Sequence, residues 1–155
     1  MKNLITLLAL VFVITSCGSG AKESTQETTT KAAASSVESY LAIKDALVKT
    51  DATEASNAAK AFLNSNSNQK LASSLETIAN ASDVKVQRQA FETLSMEMYE
   101  VVKAGNNESP LYKQYCPMAF NNKGAFWLAA EEEVNNPYFG DMMLHCGRVD
   151  EVIQQ

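Results

Sequence analysis

Ser82–Ala104, SDVKVQRQAFETLSMEMYEVVKA, is the stretch that sets the architecture. Val84, Phe91, Leu94, Met98 and Val101 recur at spacings of seven, three, four and three, the period of a helix with one apolar stripe. Ser82-Asp83 offers side-chain oxygens to the unpaired amides of its first turn. A stripe this long must be buried against partners, and the upstream sequence supplies them. Asn64 to Asn68 (NSNSN) competes for backbone hydrogen bonds and marks a turn. The short helix expected after it carries Leu71, Leu75 and Ile78. Further upstream, Asp51-Ala52-Thr53-Glu54 resembles a capping box and opens a helix with Ala55, Ala59, Phe62 and Leu63 turned inward. From Ser35, Val37, Tyr40, Leu41, Leu47 and Val48 form one face of a first helix, with Glu38, Lys44, Asp45 and Lys49 mainly elsewhere. Short connections favour antiparallel neighbours, so the expected class is all-α, an up-and-down bundle of about four helices.

Downstream the character changes at Gly105 (GNNESP), and helical periodicity fades. Residues 105–155 are read as an irregular Cys/Met-rich segment. In it Leu111 to Tyr115 is a short strand or extended arm, Gly124 to Val134 a short helix or strand, and NNPYFG (135–140) a tight turn. Neither an internal repeat nor the pattern of a large sheet is visible.

The chain opens MKNLITLLALVFVITSC, with a cation at Lys2, an apolar run from Leu7 to Ile14 and small or hydroxylated residues before Cys17. That succession is an export signal, too short to span a bilayer well. Ile14-Thr15-Ser16-Cys17 resembles a lipobox, which implies cleavage after residue 16 and lipidation of Cys17. Two or three acyl chains then hold the protein on a membrane of the cell envelope, facing the periplasm. Residues 17–34 have almost no large apolar side chain to offset ordering entropy and are read as a disordered tether, leaving 35–155 as one domain. With 13 basic and 18 acidic residues the formal charge is −5, and no basic cluster interrupts it, which argues against nucleic acid as a partner.

Setting Cys17 aside leaves two cysteines, in Cys116-Pro117-Met118 and Met142-Met143-Leu144-His145-Cys146-Gly147. Thiolate and thioether sulfurs are soft donors that favour Cu(I) and its heavier relative Ag(I). Cys116 and Met118 fall on one side of an extended segment, and Met143 and Cys146 can meet across one turn. These four are the candidate metal ligands, with Met142 and His145 as substitutes. A Cys116–Cys146 disulfide explains both cysteines equally well. Closing a loop of about thirty residues contributes on the order of 3–4 kcal/mol in the chain-entropy model, and methionines also fill cores. Zinc is less well served, because two cysteines and one histidine leave a fourth ligand unspecified. No enzyme is read: His145 adjoins Cys146, but adjacent residues seldom orient as nucleophile and base. Glu131-Glu132-Glu133 reads as a solvated face, and Phe126, Trp127, Tyr138 and Phe139 as packing for the tail.

Tyr40-Leu41-Ala42-Ile43-Lys44-Asp45-Ala46-Leu47, Cys116-Pro117-Met118-Ala119, Gly124-Ala125-Phe126-Trp127-Leu128, and Asn136-Pro137-Tyr138-Phe139-Gly140 through Met143, Cys146 and Gly147 resemble a family of bacterial periplasmic domains of unknown function, common in Bacteroidetes. Its members stand alone behind lipoprotein signals or are fused to adaptor subunits of copper and silver efflux pumps. The resemblance implies a helical domain and heavy-metal handling, with Cys116, Met118, Met143 and Cys146 as soft-metal residues and efflux-pump adaptor components as partners. The reading is therefore a membrane-tethered domain that binds or passes on Cu(I). The alternative is an envelope interaction module whose tail is fastened by the disulfide.

Overall fold

The computed structural model describes residues 23–105 and 109–154, with side chains described from Ser36 onward. The signal segment, Cys17 and the first part of the tether lie outside the described residues. Four helices follow in order: α1 (Glu23–Val48), α2 (Ala52–Ser65), α3 (Gln69–Asn80) and α4 (Val84–Ala104). Successive helices pack on one another and α1 closes against α4, the up-and-down arrangement expected of short connections. Helix α1 begins at Glu23, so residues 23–34, read as tether, continue the helix. Their Ala, Glu, Gln and Lys residues are good helix formers, and propagating an existing helix is easier than nucleating one.

Each later helix is started by a side-chain cap. Asp51 accepts from the Glu54 amide at 2.8 Å, Asn68 from Lys70 at 3.1 Å, and Asp83 from Lys85 at 2.8 Å. Glu54 does not complete a reciprocal box, because the Asp51 amide donates to the Ala46 carbonyl at 2.9 Å, and Thr50 N–H donates to Leu47 O at 3.1 Å. Those two bonds end α1 in a Schellman motif, with Thr50 in the left-handed position (φ 58°) usually given to glycine.

The core follows the stripes. Ala55, Ala59 and Phe62 of α2, Leu71, Leu75 and Ile78 of α3, and Phe91, Leu94 and Met98 of α4 are buried. Leu63 and Val101 are only half-buried, and Val102 takes the inward place beside Val101. One expectation fails: Lys44 is 2% exposed, paired with Glu131 and with Asp45 at 2.8 Å.

The molecule is largely helical but not all-α, since the C-terminal segment builds a small antiparallel sheet. Strands β1 (Leu111–Cys116), β2 (Ala125–Ala129) and β3 (Arg148–Ile153) lie in the order β2-β1-β3. β3 was not anticipated. Its pairing shifts register between Lys113 and Gln114, which face Glu151 and Val149, so Asp150 is the extra residue of a bulge. That residue puts Val149 and Val152 three apart and hides the period-two signal of a strand. The sheet packs on α4, and the Tyr40 hydroxyl accepts from the Leu128 amide at 3.0 Å while bonding Ser95 Oγ at 2.8 Å, tying α1, α4 and β2 together. Among the described residues no helix is long and apolar enough to cross a membrane.

Candidate functional site

Cys116 ends β1 and is completely buried; Cys146 closes the long loop between β2 and β3. Both are free thiols, and their Sγ atoms lie 3.0 Å apart. In the β1–β2 register Gln114 faces Trp127 and Cys116 faces Ala125, so these four side chains share one face. The loop covers that face and is held there by polar side chains. Gln114 Nε2 donates to the carbonyls of Glu131, Glu132 and Glu133 at 2.9–3.2 Å, so the acidic run wraps a buried amide with its backbone. Buried Asn136 donates from Nδ2 to the Cys146 carbonyl at 2.7 Å, and its Oδ1 accepts from the Tyr138 amide at 2.8 Å. At Gly147 (φ 151°) an added Cβ would lie 3.0 Å from the Tyr115 carbonyl and 3.1 Å from the Trp127 ring, so only glycine lets the chain cross here. The hydrogen bond to Cys116, followed by burial, pushes the Cys146 thiol up to about 11.

The thioethers occupy a neighbouring place. Met118 is 47% and Met142 76% exposed, and Met143, whose carbonyl accepts the Cys146 amide at 3.0 Å, is half-buried. All three line one cleft of about 540 Å³ between the first half of α4 and the loop, and neither cysteine belongs to its wall. The structure thus joins the two thiols, and it joins the methionines, as two adjacent sets. His145 is exposed and its Nδ1–H donates to the Val134 carbonyl at 2.8 Å. Among the described residues no group of three His, Cys, Asp or Glu side chains is gathered.

Two residues that position this site carry no emphasis in a reading by motif. Arg88 is 6% exposed and donates from Nε to the Pro137 carbonyl at 2.7 Å and from Nη2 to Leu47 O and Thr50 Oγ1, both at 3.0 Å. It fastens the NNPYFG turn to the end of α1. Lys44 does the same for the start of the loop through Glu131. A signal for both exists in the sequence. Arg88 lies four residues after Val84 and three before Phe91, and Lys44 four after Tyr40 and three before Leu47. Each charge interrupts an apolar stripe, where it must be buried with partners.

Residues 36–109 match the model of a family described as a protein of unknown function, DUF3347. The match spans the helical bundle from Ser36 to the end of α4 and stops just before β1. The Tyr40–Leu47 stretch lies within it; both cysteines and the cleft methionines lie beyond it. Neither the curated proteins nor the solved structures contain a match to the chain.

Proposed function

We propose that this chain is a lipid-anchored, periplasm-facing protein that binds or passes on Cu(I) or Ag(I), and that its role is binding rather than catalysis. The observation that carries the reading is the pair of free thiols 3.0 Å apart under the loop. An ion entering between Cys116 and Cys146 displaces their protons and gains two soft anionic donors. Met118 and Met143, the nearest methionines in sequence to each cysteine, add thioether donors from the adjoining cleft wall. The lipid anchor at Cys17 and a copper or silver efflux-pump adaptor as partner belong to the same reading, supported by the signal-like first segment and by the resemblance carried by Tyr40–Leu47 together with the Cys116–Ala119, Gly124–Leu128 and Asn136–Gly147 segments.

The same thiol distance favours a second reading, in which an envelope oxidant removes two electrons and two protons from the pair. The resulting Cys116–Cys146 disulfide fastens the tail of an interaction module. Anaerobic copper titration of the reduced soluble domain, with thiols counted before and after oxidation, separates the two. Metal handling requires stoichiometric Cu(I) uptake that C116S/C146S abolishes. It also requires that M118L/M143L weaken copper far more than zinc while roughly conserving volume. Reduced protein that takes up no more copper than an unrelated helical domain overturns it. Metabolic labelling with a fatty-acid analogue should mark the wild type and spare Cys17→Ala.

A further inference from the structure

Arg88 presents an electrostatic problem that its structural role leaves unsolved. Its three hydrogen bonds go to two carbonyls and a hydroxyl, all neutral. Among the described residues no carboxylate lies within ion-pair distance of it. A cation buried without counter-charge is costly, and the usual solution is an anion. None of the hydrogen bonds of the described residues uses Nη1, and Arg88 is one of the residues lining the cleft of about 540 Å³.

The rest of that cleft has a consistent character. Lys85 supplies a second cation, the apolar walls include Met118, Met142 and Phe139, and no acidic side chain lines it. This is a positive recess in a chain with 18 acidic and 13 basic residues. Low-dielectric walls focus such a field, and the volume suits a small molecule rather than a bilayer. Part of the wall is built at a conformational cost: Phe120, Asn121 and Asn122 all adopt left-handed φ values of 51°, 59° and 67°.

We infer that this cleft binds a small anionic amphiphile, with its oxyanion head at Arg88 and Lys85 and its apolar body along Met118, Met142 and Phe139. The inference does not depend on the thiols, because neither cysteine lines the cleft; Met118 and Met143 are shared with the proposed metal site, so binding is tested in metal-free protein. Arginine's planar fork suits carboxylate and phosphate heads alike, so the shared chemistry is a single oxyanion on a short apolar chain.

The test uses decanoate below its micellar concentration, with decanol and decyltrimethylammonium as neutral and cationic controls, read by the methyl NMR signals of the methionines. Decanoate should bind saturably and shift Met118, Met142 and Met143 but not Met96, with binding retained in C116S/C146S. Lys85→Gln should weaken it roughly three- to fivefold, the scale of one exposed charge pair. Met142→Glu should abolish it. Both positions are exposed, so the fold is retained. Equal or tighter binding of the cation overturns the proposal. So does a decanoate response that Met142→Glu leaves unchanged, or attachment to phosphatidylglycerol vesicles with no response to monomeric decanoate.

Discussion

At Gly140 a single hydrogen atom decides whether the loop can dock. The residue has φ 58°, and an added Cβ would lie 2.3 Å from Thr50 Oγ1 and 2.9 Å from both Arg88 Nη2 and the Val48 carbonyl. Gly140→Ala therefore forces either the left-handed Thr50 or the buried guanidinium to move. It should cost about 1–3 kcal/mol, read as a lower urea midpoint. Lys44 and Glu131 make an asymmetric pair: the ammonium is 2% exposed, the carboxylate 38%. Lys44→Met replaces a buried charge with an apolar chain of similar length and returns Glu131 to water, so its denaturation midpoint should stay near wild type. Glu131→Ala strands the ammonium with Asp45 alone and should cost more, about 1–2 kcal/mol after allowing for the exposure of Glu131. A larger loss from Lys44→Met than from Glu131→Ala would contradict this account.

At the scale of elements, β3 is attached to α4 through titratable groups. Glu151 accepts from the Tyr99 hydroxyl at 2.8 Å and from Lys103 Nζ at 3.1 Å, joining the sheet edge to α4. The Tyr99 hydrogen bond first, then that from Lys103, holds the Glu151 carboxyl below its ordinary range. A carboxylate with a depressed folded pKa contributes stability that is present above the ordinary glutamate value and is lost as pH falls through the folded value. Melting temperature should therefore decline on the acid side of the glutamate range, and Glu151→Gln should flatten that part of the profile. An unchanged acid limb in the variant would remove Glu151 from the explanation. Elsewhere the helices were legible because one period and one buried face agree. β3 was not, because the bulge at Asp150 breaks the alternation that identifies a strand.

For the molecule as a whole, the bundle is the foundation and the C-terminal segment is fitted to it. Among the described side chains of α1, the buried apolar ones are Tyr40, Ile43, Ala46 and Leu47. Removing residues 1 to about 31 should leave a mainly helical protein with cooperative melting, checked by circular dichroism. Loss of the cooperative transition would show that the first turns of α1 carry more of the fold than the core does. The helical bundle and the sulfur site also differ in how far likeness to other proteins reaches. The family match ends at 109; the thiols and the sheet follow it, and the cleft straddles it, with Lys85 and Arg88 inside the match and the three methionines beyond.

The local pattern was enough for four helices, their order and most of their inward faces, because helix periodicity and capping are properties of neighbouring residues. Cys116 and Cys146 could be named from residue type, as could Met118, Met142 and Met143. Their grouping into a thiol pair and a separate thioether cleft could not, since it depends on a strand register, a loop wrapped around Gln114 and the turn held by Arg88. The contacts of Gln114 and Arg88 join residues 17 to 49 positions apart. No local period records them, and each exists only because a buried polar group must find a partner wherever the fold places one.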